Sequence, residues 1–339
     1  MEKEEINKLI STNKFLDMCD HAELVETHIS WVILCNKFVY KIKKPMHYSF
    51  LDFSTLEKRK YYCQKEVELN QRLTKDVYLD ILPVRKSPEG ITLGLNEGEI
   101  VDYAVRMRKL DREKQMDVLL QNNRVSEIDI QHIAQHIAAF HINAGCIYQK
   151  EVLDVQKKFN ALEEEIDYLL GHLDTESRDI INKAVEATKR FVLKHEALLL
   201  KRLNLGFFRD VHGDLHSRNI FLLPEPVIFD CIEFSDDYRQ IDVLNEIAFL
   251  CMDLEAFGRQ DLSELFIKAY NDLFPAIQTE EEKSLFIYYK CYRANVRAKV
   301  NSLRAKDADN EQRKKALTET EKYLRLMDSY VSLLTFPAL

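Results

Sequence analysis

The fold of this chain is decided by the stretch Arg209-Asp-Val-His-Gly-Asp-Leu-His-Ser-Arg-Asn-Ile-Phe-Leu-Leu-Pro-Glu-Pro-Val-Ile-Phe-Asp230. Its polar residues follow the pattern H-G-D-x-x-x-x-N, and two short apolar runs joined by Pro-Glu-Pro then lead to an aspartate. The runs, 220–223 and 227–229, predict a β-hairpin. Transfer of a phosphoryl group needs a carboxylate aimed at the attacking hydroxyl and oxygen ligands for Mg²⁺. The stretch supplies these residue types in that order.

The spacing within this stretch matches a kinase catalytic loop. In such loops an aspartate accepts the proton of the attacking hydroxyl and an asparagine five positions later binds metal. We therefore interpret Asp214 as the catalytic base and Asn219 and Asp230 as metal ligands, although Asp230 is followed by Cys-Ile-Glu where a kinase has D-F-G. The alternative is that these polar residues only cap turns. The hairpin at the expected place favours the catalytic interpretation.

A lysine and a glutamate upstream fit the same chemistry. A kinase holds the nucleotide phosphates with a strand lysine, which a helix glutamate orients. Lys41 ends the β-rich run 38–41, and the helical pattern of residues 56–73 offers Glu66 or Glu68. We prefer Glu66, because Leu73 lies seven residues later on the same helix face. Lys43 and Lys44 compete with Lys41 for the phosphate-binding role.

The pattern of apolar residues divides the chain into a β-rich part and a helical part. Short apolar runs separated by turn residues occupy about 25–110, with one helix at 56–73. Helical periodicity dominates after residue 110, and Ser126 to His141 begins with a capping signal. Further helices are predicted over 155–171, 176–203, 241–257, 261–273, 280–304 and 312–334. We therefore expect an α+β fold.

Composition excludes several classes of protein. The chain has only eight glycines among 339 residues, and neither G-x-G-x-x-G nor G-x-x-x-x-G-K-[ST] occurs. A net charge of −8 argues against nucleic-acid binding, and 31% charged residues argue against a membrane protein. The N-terminus is too acidic for a signal peptide. The seven cysteines form no C-x-x-C, so we expect reduced thiols and a cytoplasmic protein.

Two local charge patterns disagree about the substrate. Arg293 and Arg297 lie one helical turn apart and together could grip a phosphate or carboxylate, or could simply form a solvated helix face. The segment that follows the predicted hairpin is acidic from Glu233 to Glu255, which would favour a polycationic substrate. Glu233 and the two arginines are therefore all candidates for substrate binding. Gly213, directly before the proposed base, is expected to take a positive φ.

With these residues in view, the chain resembles the aminoglycoside phosphotransferase and choline kinase family. It is most similar to a bacterial group of aminoglycoside-phosphotransferase-like proteins of unknown substrate, which are often fused to a P-loop kinase domain. Besides the stretches above, the resemblance rests on Val39-Tyr-Lys-Ile-Lys-Lys-Pro45, Phe50-Leu-Asp-Phe-Ser-Thr-Leu56, Phe229-Asp-Cys-Ile-Glu-Phe234, Ala248-Phe-Leu-Cys-Met-Asp-Leu254 and Tyr292-Arg-Ala-Asn-Val-Arg-Ala-Lys299.

The resemblance implies a two-lobed, protein-kinase-like fold. Residues 1–108 would form a nucleotide-binding lobe, and residues 109–339 a helical lobe with the catalytic loop and the substrate site. ATP or GTP would be the co-substrate, with Mg²⁺. Ser30 would sit in a loop over the phosphates, and the Arg108 carbonyl and the Leu110 amide would contact the adenine. No P-loop can be written, so any P-loop kinase partner would act in trans.

Two hypotheses follow. The first is a small-molecule kinase in which Asp214 deprotonates a substrate hydroxyl that attacks the γ-phosphoryl group. The second is a nucleotide-binding adaptor on a kinase scaffold that works with a separate P-loop kinase. The complete set of lysine, aspartate and asparagine favours the first. A protein kinase is disfavoured because the glycine loop, D-F-G and A-P-E are absent from the sequence.

Overall fold

The structure is a computed structural model that describes residues 1–48 and 51–335. Phe50, the first residue of the stretch 50–56 quoted above, lies outside the described residues. The strands are β1 (Glu23–Glu26), β2 (Ser30–Leu34), β3 (Phe38–Lys43), β4 (His47–Tyr48), β5 (Leu51–Asp52), β6 (Tyr78–Ser87), β7 (Gly90–Leu93), β8 (Glu99–Arg108), β9 (Phe208–Asp210), β10 (Ile220–Phe221), β11 (Val227–Ile228) and β12 (Gln240–Asp242).

The helices account for most of the chain after residue 115. They are α1 (Lys3–Thr12), α2 (Leu56–Gln71), α3 (Met116–Gln121), α4 (Glu127–Asn143), α5 (Asp154–Asn160), α6 (Ile166–Leu170), α7 (Glu176–Lys194), α8 (Glu196–Asn204), α9 (Asp236–Arg239), α10 (Val243–Ala256), α11 (Gln260–Leu273), α12 (Glu280–Asp307) and α13 (Asn310–Thr335). The predicted α+β class is confirmed. The helix predicted over 176–203 is interrupted at His195, whose φ of −108° and ψ of 19° are not helical.

The chain divides into two compact units. The N-terminal unit comprises Met1–Val118 together with Asn219–Tyr238, and the helical unit comprises Leu119–Arg218 together with the described residues from Arg239 onward. The sequence predicts one boundary, at residue 108. In the structure, the segment 219–238, which contains the β10–β11 hairpin, belongs to the same unit as the six-stranded sheet. The reason is hydrogen bonding over long sequence distances: Leu222 N–H donates to the carbonyl of Lys114 at 2.8 Å, and Cys231 N–H donates to Asn70 at 2.9 Å.

The N-terminal unit is built on an antiparallel sheet with the strand order β1-β2-β3-β8-β6-β7. Side chains alternate between the two faces of a strand. In β3, Tyr40 and Ile42 pack into the cluster that contains Ile6 of α1, whereas Val39 packs into the cluster that contains Cys63 of α2. Lys41 therefore lies on the same face of β3 as Val39, the face that packs against α2.

The helical unit is centred on α10. Every residue from Val243 to Leu254 is buried, so this helix is enclosed on all sides. Asp242 caps it by accepting a hydrogen bond from the Leu244 amide at 2.9 Å. α10 packs against α11 and α12, and the neighbouring apolar cluster joins α7, α12 and α13 through Ile181, Ala294 and Met327. A helix without an exposed face positions its buried polar residues rigidly.

The cysteines correct one expectation from the sequence. Cys19 and Cys35 form a disulfide, with their Cα atoms 5.1 Å apart, and five cysteines are free. The prediction that all seven are thiols was therefore wrong. The antiparallel pairing of β1 with β2, in which Glu23 faces Leu34, brings Cys35 beside the segment that precedes β1, a proximity that sequence spacing does not indicate. Within the described chain, none of the helices is long and apolar enough to cross a membrane.

Candidate active site

Lys41 on β3 connects a helix and the hairpin of the N-terminal unit. Its Nζ lies 2.9 Å from Glu66 Oε1 on α2 and 2.7 Å from Asp230 Oδ1. Burial alone would lower the pKa of Lys41, but the carboxylates of Asp230 and Glu66 raise it well above its ordinary value. The lysine is therefore a fixed positive charge between two carboxylates. They follow Lys41 in the sequence by 25 and 189 residues.

Glu66 is shared between two lysines. Its other oxygen, Oε2, accepts a hydrogen bond from Lys43 Nζ at 2.6 Å, and both side chains are fully buried. Burial would raise the pKa of Glu66, but Lys41 and Lys43 overcome it and lower the value to about 2. α2 begins with Thr55 as its cap, which accepts from Lys58 N–H. Both lysines contact Glu66, and Lys41 also forms an ion pair with Asp230, so Lys41 remains the residue that we expect to bind the nucleotide phosphates.

Glu233 is buried, whereas the sequence predicts it at a surface that binds substrate. It is 3% exposed and forms an ion pair with buried Lys43. Burial raises the pKa of Glu233, and Lys43 counteracts that shift. The expectation that Glu233 contacts the acceptor does not fit this burial, because its carboxylate neutralises the inner lysine of the N-terminal unit.

The two proposed metal ligands lie in the hairpin segment. Asp230 has a φ of +64°, unusual for a residue with a side chain, and its N–H donates to the Tyr78 hydroxyl at 3.1 Å. Such strained positions cluster at functional sites. Asn219 ends a 3₁₀ turn, and its carbonyl accepts from Phe229 N–H at 3.1 Å. These contacts fix both ends of the hairpin.

The donor set fits Mg²⁺ bound together with phosphates. No group of three or more His, Cys, Asp or Glu that could hold a metal occurs in residues 1–48 and 51–335. Asn219 and Asp230 offer amide and carboxylate oxygens, which are the hard donors that Mg²⁺ takes, and the Asp230 side chain is 44% exposed. A cation held by one or two protein ligands completes its shell with phosphate oxygens and water. Asn219 and Asp230 are therefore suited to a metal that arrives with a nucleotide.

The remaining predicted nucleotide contacts lie around the sheet. Ser30 is the first residue of β2 instead of a loop residue, and it is fully buried beside the turn 27–29. Its N–H donates to Thr27 Oγ1 at 2.9 Å. Arg108 is the last residue of β8 and its N–H donates to the Val77 carbonyl, while Leu110 follows that strand. Contacts of these three residues with a nucleotide remain predictions.

In the helical unit, Glu246 holds the backbone of the proposed catalytic loop, residues 212–218. The buried carboxylate accepts hydrogen bonds from the N–H groups of His212 at 2.7 Å and Gly213 at 2.9 Å. Although burial would raise it, the pKa of Glu246 is lowered by the nearby His141, His212 and Arg293. Gly213 has a φ of +89°, as predicted from its place before Asp214. The tight turn therefore depends on a glycine and a carboxylate on α10.

Two histidines of the loop contact Asp214. His212 Nδ1 accepts a hydrogen bond from Asp214 N–H at 3.2 Å, so this side chain braces the loop backbone. His216 Nδ1 accepts from Arg218 N–H at 3.2 Å, so a neutral ring carries its proton on Nε2, which lies 3.3 Å from Asp214 Oδ2. Burial favours the neutral acid, but His216, His212 and Arg297 hold the pKa of Asp214 below its ordinary value. Asp214 is thus an ionised carboxylate with one oriented hydrogen-bond donor.

The two arginines of α12 play different structural roles. Arg293 is buried, and its Nη1 donates to the Gly213 carbonyl at 3.1 Å while Nε donates to Asn245 Oδ1 at 2.7 Å. Arg297 is 5% exposed and its guanidinium lies 5.4 Å from the centre of the Tyr323 ring. The hypothesis of a solvated helix face is therefore wrong for both residues. Arg293 supports the loop that carries Asp214.

Sequence reasoning assigned no role to several residues that shape the site. They are Lys43 as a second partner of Glu66, Glu246, His216 and Asn70. His216 carried one usable signal, because it follows the proposed base by two residues in a tight loop. The others act through contacts between residues at least 23 positions apart, so no local pattern identifies them.

Comparison with known sequences identifies uncharacterized bacterial relatives. The sequence matches no protein-family model. It is 35% identical over 289 residues to uncharacterized proteins of Mycobacterium tuberculosis and Mycobacterium bovis, and this match covers 82% of the chain and 54% of each of those proteins. The chain thus spans about half the length of the curated relatives it matches.

Two solved structures align with nearly the whole chain. A choline kinase from Cryptosporidium parvum Iowa II has a TM-score of 0.57 at 12% identity, covering 97% of both chains. The GDP complex of aminoglycoside 2'-phosphotransferase-IIIa has a TM-score of 0.53 at 13% identity, covering 94% of this chain and 97% of that one. At this level of identity, the similarity is one of fold.

Proposed function

The chain has the protein-kinase-like fold of the choline kinases and aminoglycoside phosphotransferases, and we propose that it transfers the γ-phosphoryl group of ATP or GTP to a hydroxyl of a small molecule. The observation that carries the proposal is the position of Lys41, bonded to both Glu66 and Asp230. In phosphoryl transfer a lysine oriented by a glutamate meets the nucleotide phosphates, and a nearby aspartate binds the metal.

Each residue then has a stated task. Lys41 would bind the nucleotide phosphates, with Glu66 fixing its orientation. Asn219 and Asp230 would hold Mg²⁺, which neutralises charge on the phosphates when it is bound. Asp214 would accept the proton of the attacking hydroxyl. Its low pKa keeps it ionised, so it is ready to accept that hydrogen bond at neutral pH.

The electrostatic arrangement supports this division of tasks. A carboxylate with a depressed pKa is a weak proton acceptor, so Asp214 would mainly orient the hydroxyl at first. It would accept the proton once the hydroxyl oxygen begins to bond to phosphorus and its proton becomes more acidic. Phosphoryl transfer needs little more from the base, because positioning and charge stabilisation supply most of the catalysis. The fixed loop that carries Asp214 supplies the positioning.

The test is a nucleotide-consumption assay with Mg²⁺ and either ATP or GTP. The acceptors are aminoglycosides, sugars, nucleosides, amino alcohols, and sugar phosphates and acids, with product identified by ³¹P NMR. Asp214→Asn, which keeps the size of the side chain, is the blank. We expect acceptor-dependent turnover in the wild type and a loss of at least about 100-fold in the variant.

Two results would contradict the proposal. Equal turnover in a folded Asp214→Asn variant would remove Asp214 from the chemistry. Tight binding of Mg-ATP or Mg-GTP without turnover on any acceptor would favour the nucleotide-binding adaptor instead, acting with a separate P-loop kinase. Circular dichroism of each variant distinguishes lost chemistry from lost folding.

A further inference from the structure

We infer that the acceptor carries an anionic group, a phosphate or a carboxylate, which is bound by Arg218, Arg297 and Arg304 beside Asp214. The inference rests on the proposed function and names the substrate class of the same site. It decides between the two charge patterns that the sequence left in disagreement. The argument uses contacts within the helical unit alone.

The first step is the arrangement of arginines on α12. Arg293, Arg297 and Arg304 are spaced by four and seven residues, so they lie along one stripe of the helix. Arg293 bonds to the carbonyl of Gly213, which directs this stripe toward the loop that carries Asp214. Arg304, three turns further along, is exposed, so an incoming ligand can reach it.

The second step is the position of Arg297 beneath the loop. Tyr323, whose ring faces its guanidinium, donates a hydrogen bond to Asp253 Oδ1 at 3.2 Å, and Asp253 Oδ2 accepts from Ser217 N–H at 2.9 Å. Arg297 is thereby held close to the residues that flank Arg218. Its Nε is buried and has no hydrogen-bond partner among the described residues. An almost buried guanidinium with an unused donor is a feature that a bound anion would satisfy.

The third step is charge. Arg297 lowers the pKa of Asp214, and desolvation of the Arg304 guanidinium together with the positive charges of Arg297 and Arg218 lowers the pKa of Arg304 against the opposing effect of Asp214. Arg304 therefore lies within electrostatic range of Arg297, Arg218 and Asp214. Such a cluster repels a cationic acceptor and gains from an anionic one. Arginine is also the side chain that best matches phosphate and carboxylate oxygens in pairs.

The fourth step removes the argument for a polycationic acceptor. Four acidic side chains on and directly before α10 are already engaged: Asp242 by Arg202, Glu246 by the loop backbone, Asp253 by Ser217 and Glu255 by Lys290. All four carboxylates are buried within the helical unit. The acidic composition of residues 242–255 therefore reflects internal pairing and not a surface for amines, and the exposed Asp236 and Asp237 belong to the other compact unit.

An anion at these arginines has two possible sources, the nucleotide phosphates or the acceptor. We assign it to the acceptor, because Asp214, which interacts electrostatically with Arg297 and Arg304, is the group proposed to meet the acceptor hydroxyl. The residues proposed for the nucleotide phosphates and metal, Lys41, Asn219 and Asp230, all belong to the other compact unit. The experiment below separates the two sources.

The test uses matched acceptors that differ in charge: gluconate and glucose 6-phosphate as anions, glucose as the neutral member, and glucosamine and kanamycin as cations. Wild type is compared with Arg304→Gln, and with Arg190→Gln as a control that removes the same charge from the exposed face of α7. We expect kcat/KM to be at least tenfold higher for an anionic acceptor than for its neutral counterpart. Arg304→Gln should lower that value about 10-fold to 100-fold, with Arg190→Gln unchanged.

Three results would overturn the inference. One is preferential turnover of glucosamine, kanamycin or glucose. Another is identical behaviour of Arg304→Gln and Arg190→Gln. The third is an Arg304→Gln variant that binds Mg-ATP more weakly while its preference among acceptors is unchanged, because the anion would then be a nucleotide phosphate.

A binding measurement separates this inference from the proposed function. Calorimetric titration of the Mg-ADP-loaded protein with inorganic phosphate and with gluconate needs no turnover. We expect binding of one or both to the wild type and at least tenfold weaker binding to Arg304→Gln. If the wild type binds the anion, Arg304→Gln binds it at least tenfold more weakly and no acceptor is turned over, the anion site is supported and the proposed kinase activity is contradicted. Equal binding, or none to the wild type, would sink the anion site even if a neutral or cationic acceptor turns over.

Discussion

Arg293 donates a hydrogen bond through Nη1 to the carbonyl oxygen of Gly213, at 3.1 Å. The same side chain donates through Nε to Asn245 on α10, at 2.7 Å from its Oδ1. A buried guanidinium thus ties α12 and α10 to the backbone directly before Asp214. Arg293 is a positioning residue, because it acts on the proposed base through the loop and not by touching it.

Replacing Arg293 by lysine should destabilise the protein and slow turnover. A lysine ammonium cannot donate to Asn245 and to the Gly213 carbonyl at the same time, so the buried Gly213 carbonyl would lose its hydrogen-bond donor. We expect a loss of about 2–4 kcal/mol in the free energy of unfolding and a lower kcat with little change in KM. Urea denaturation and steady-state kinetics measure both. Arg325→Gln, an exposed arginine on α13 paired with Glu321, is the control, and equal effects of the two changes would contradict the role.

Gly213→Ala tests the strained turn before Asp214. The φ of +89° is a conformation that residues with a Cβ rarely adopt. We expect destabilisation by about 1–2 kcal/mol and a loss of turnover that exceeds the loss of nucleotide affinity. Gly145→Ala is the matched control, because its φ is not in the left-handed region and nothing lies within 4 Å of the added Cβ. A Gly213→Ala variant as stable and active as Gly145→Ala would show that the turn tolerates a side chain.

The two lysines of β3 should respond differently to replacement by methionine. Lys41→Met removes the proposed phosphate contact and should lower kcat/KM by about 100-fold to 1,000-fold. Lys43→Met leaves Glu66 and Glu233 buried with one cation fewer, which should cost about 3–5 kcal/mol of stability. Thermal denaturation and kinetics of both variants distinguish these effects. The opposite outcome, full stability of Lys43→Met with lost activity, would transfer the phosphate-binding role to Lys43.

His216→Phe should move the acid limb of the pH profile upward. His216, together with His212 and Arg297, holds the pKa of Asp214 below 3.8 against burial, so removing its donor should raise that pKa. In the wild type the ionised carboxylate contributes stability at pH values above 3.8, and this contribution is lost as the pH falls toward the folded-state pKa. Carbon-13 NMR of the Asp214 carboxyl and kcat/KM from pH 4 to 8 report the shift. An unchanged titration would mean that His216 only packs.

Counting thiols tests the Cys19–Cys35 disulfide. Alkylation of the denatured protein should modify five cysteines without reductant and seven with it, because the other five are free. In the native protein Cys146 should react first, since it is the exposed thiol among the free cysteines of the described chain. The bridge closes a separation of 16 residues, so reduction should lower stability by about 3 kcal/mol. Seven reactive thiols without reductant would contradict the pairing.

Local patterns were enough for much of the fold and part of the site. The β-rich run 38–41 and the helical pattern of residues 56–73 placed Lys41 on a strand and Glu66 on a helix, and the needs of phosphoryl transfer suggested that the two pair; they meet at 2.9 Å. The positive φ of Gly213 followed from its place before Asp214. The break at His195 was not predicted, because helical periodicity continues on both sides of it.

The amino-acid sequence alone was sufficient for the division into a β-rich and a helical part, the kinase-like loop and the candidate base, since periodicity and short motifs are local properties of the chain. Tertiary packing settled which charges pair. It buried Glu233 against Lys43, engaged Glu246 with the loop backbone and brought Arg297 beneath Asp253 and Tyr323. These pairings join residues far apart in sequence, and their energies depend on burial, which composition does not report. Much of the acidic segment that favours a cationic substrate by composition therefore forms ion pairs and hydrogen bonds inside the folded protein.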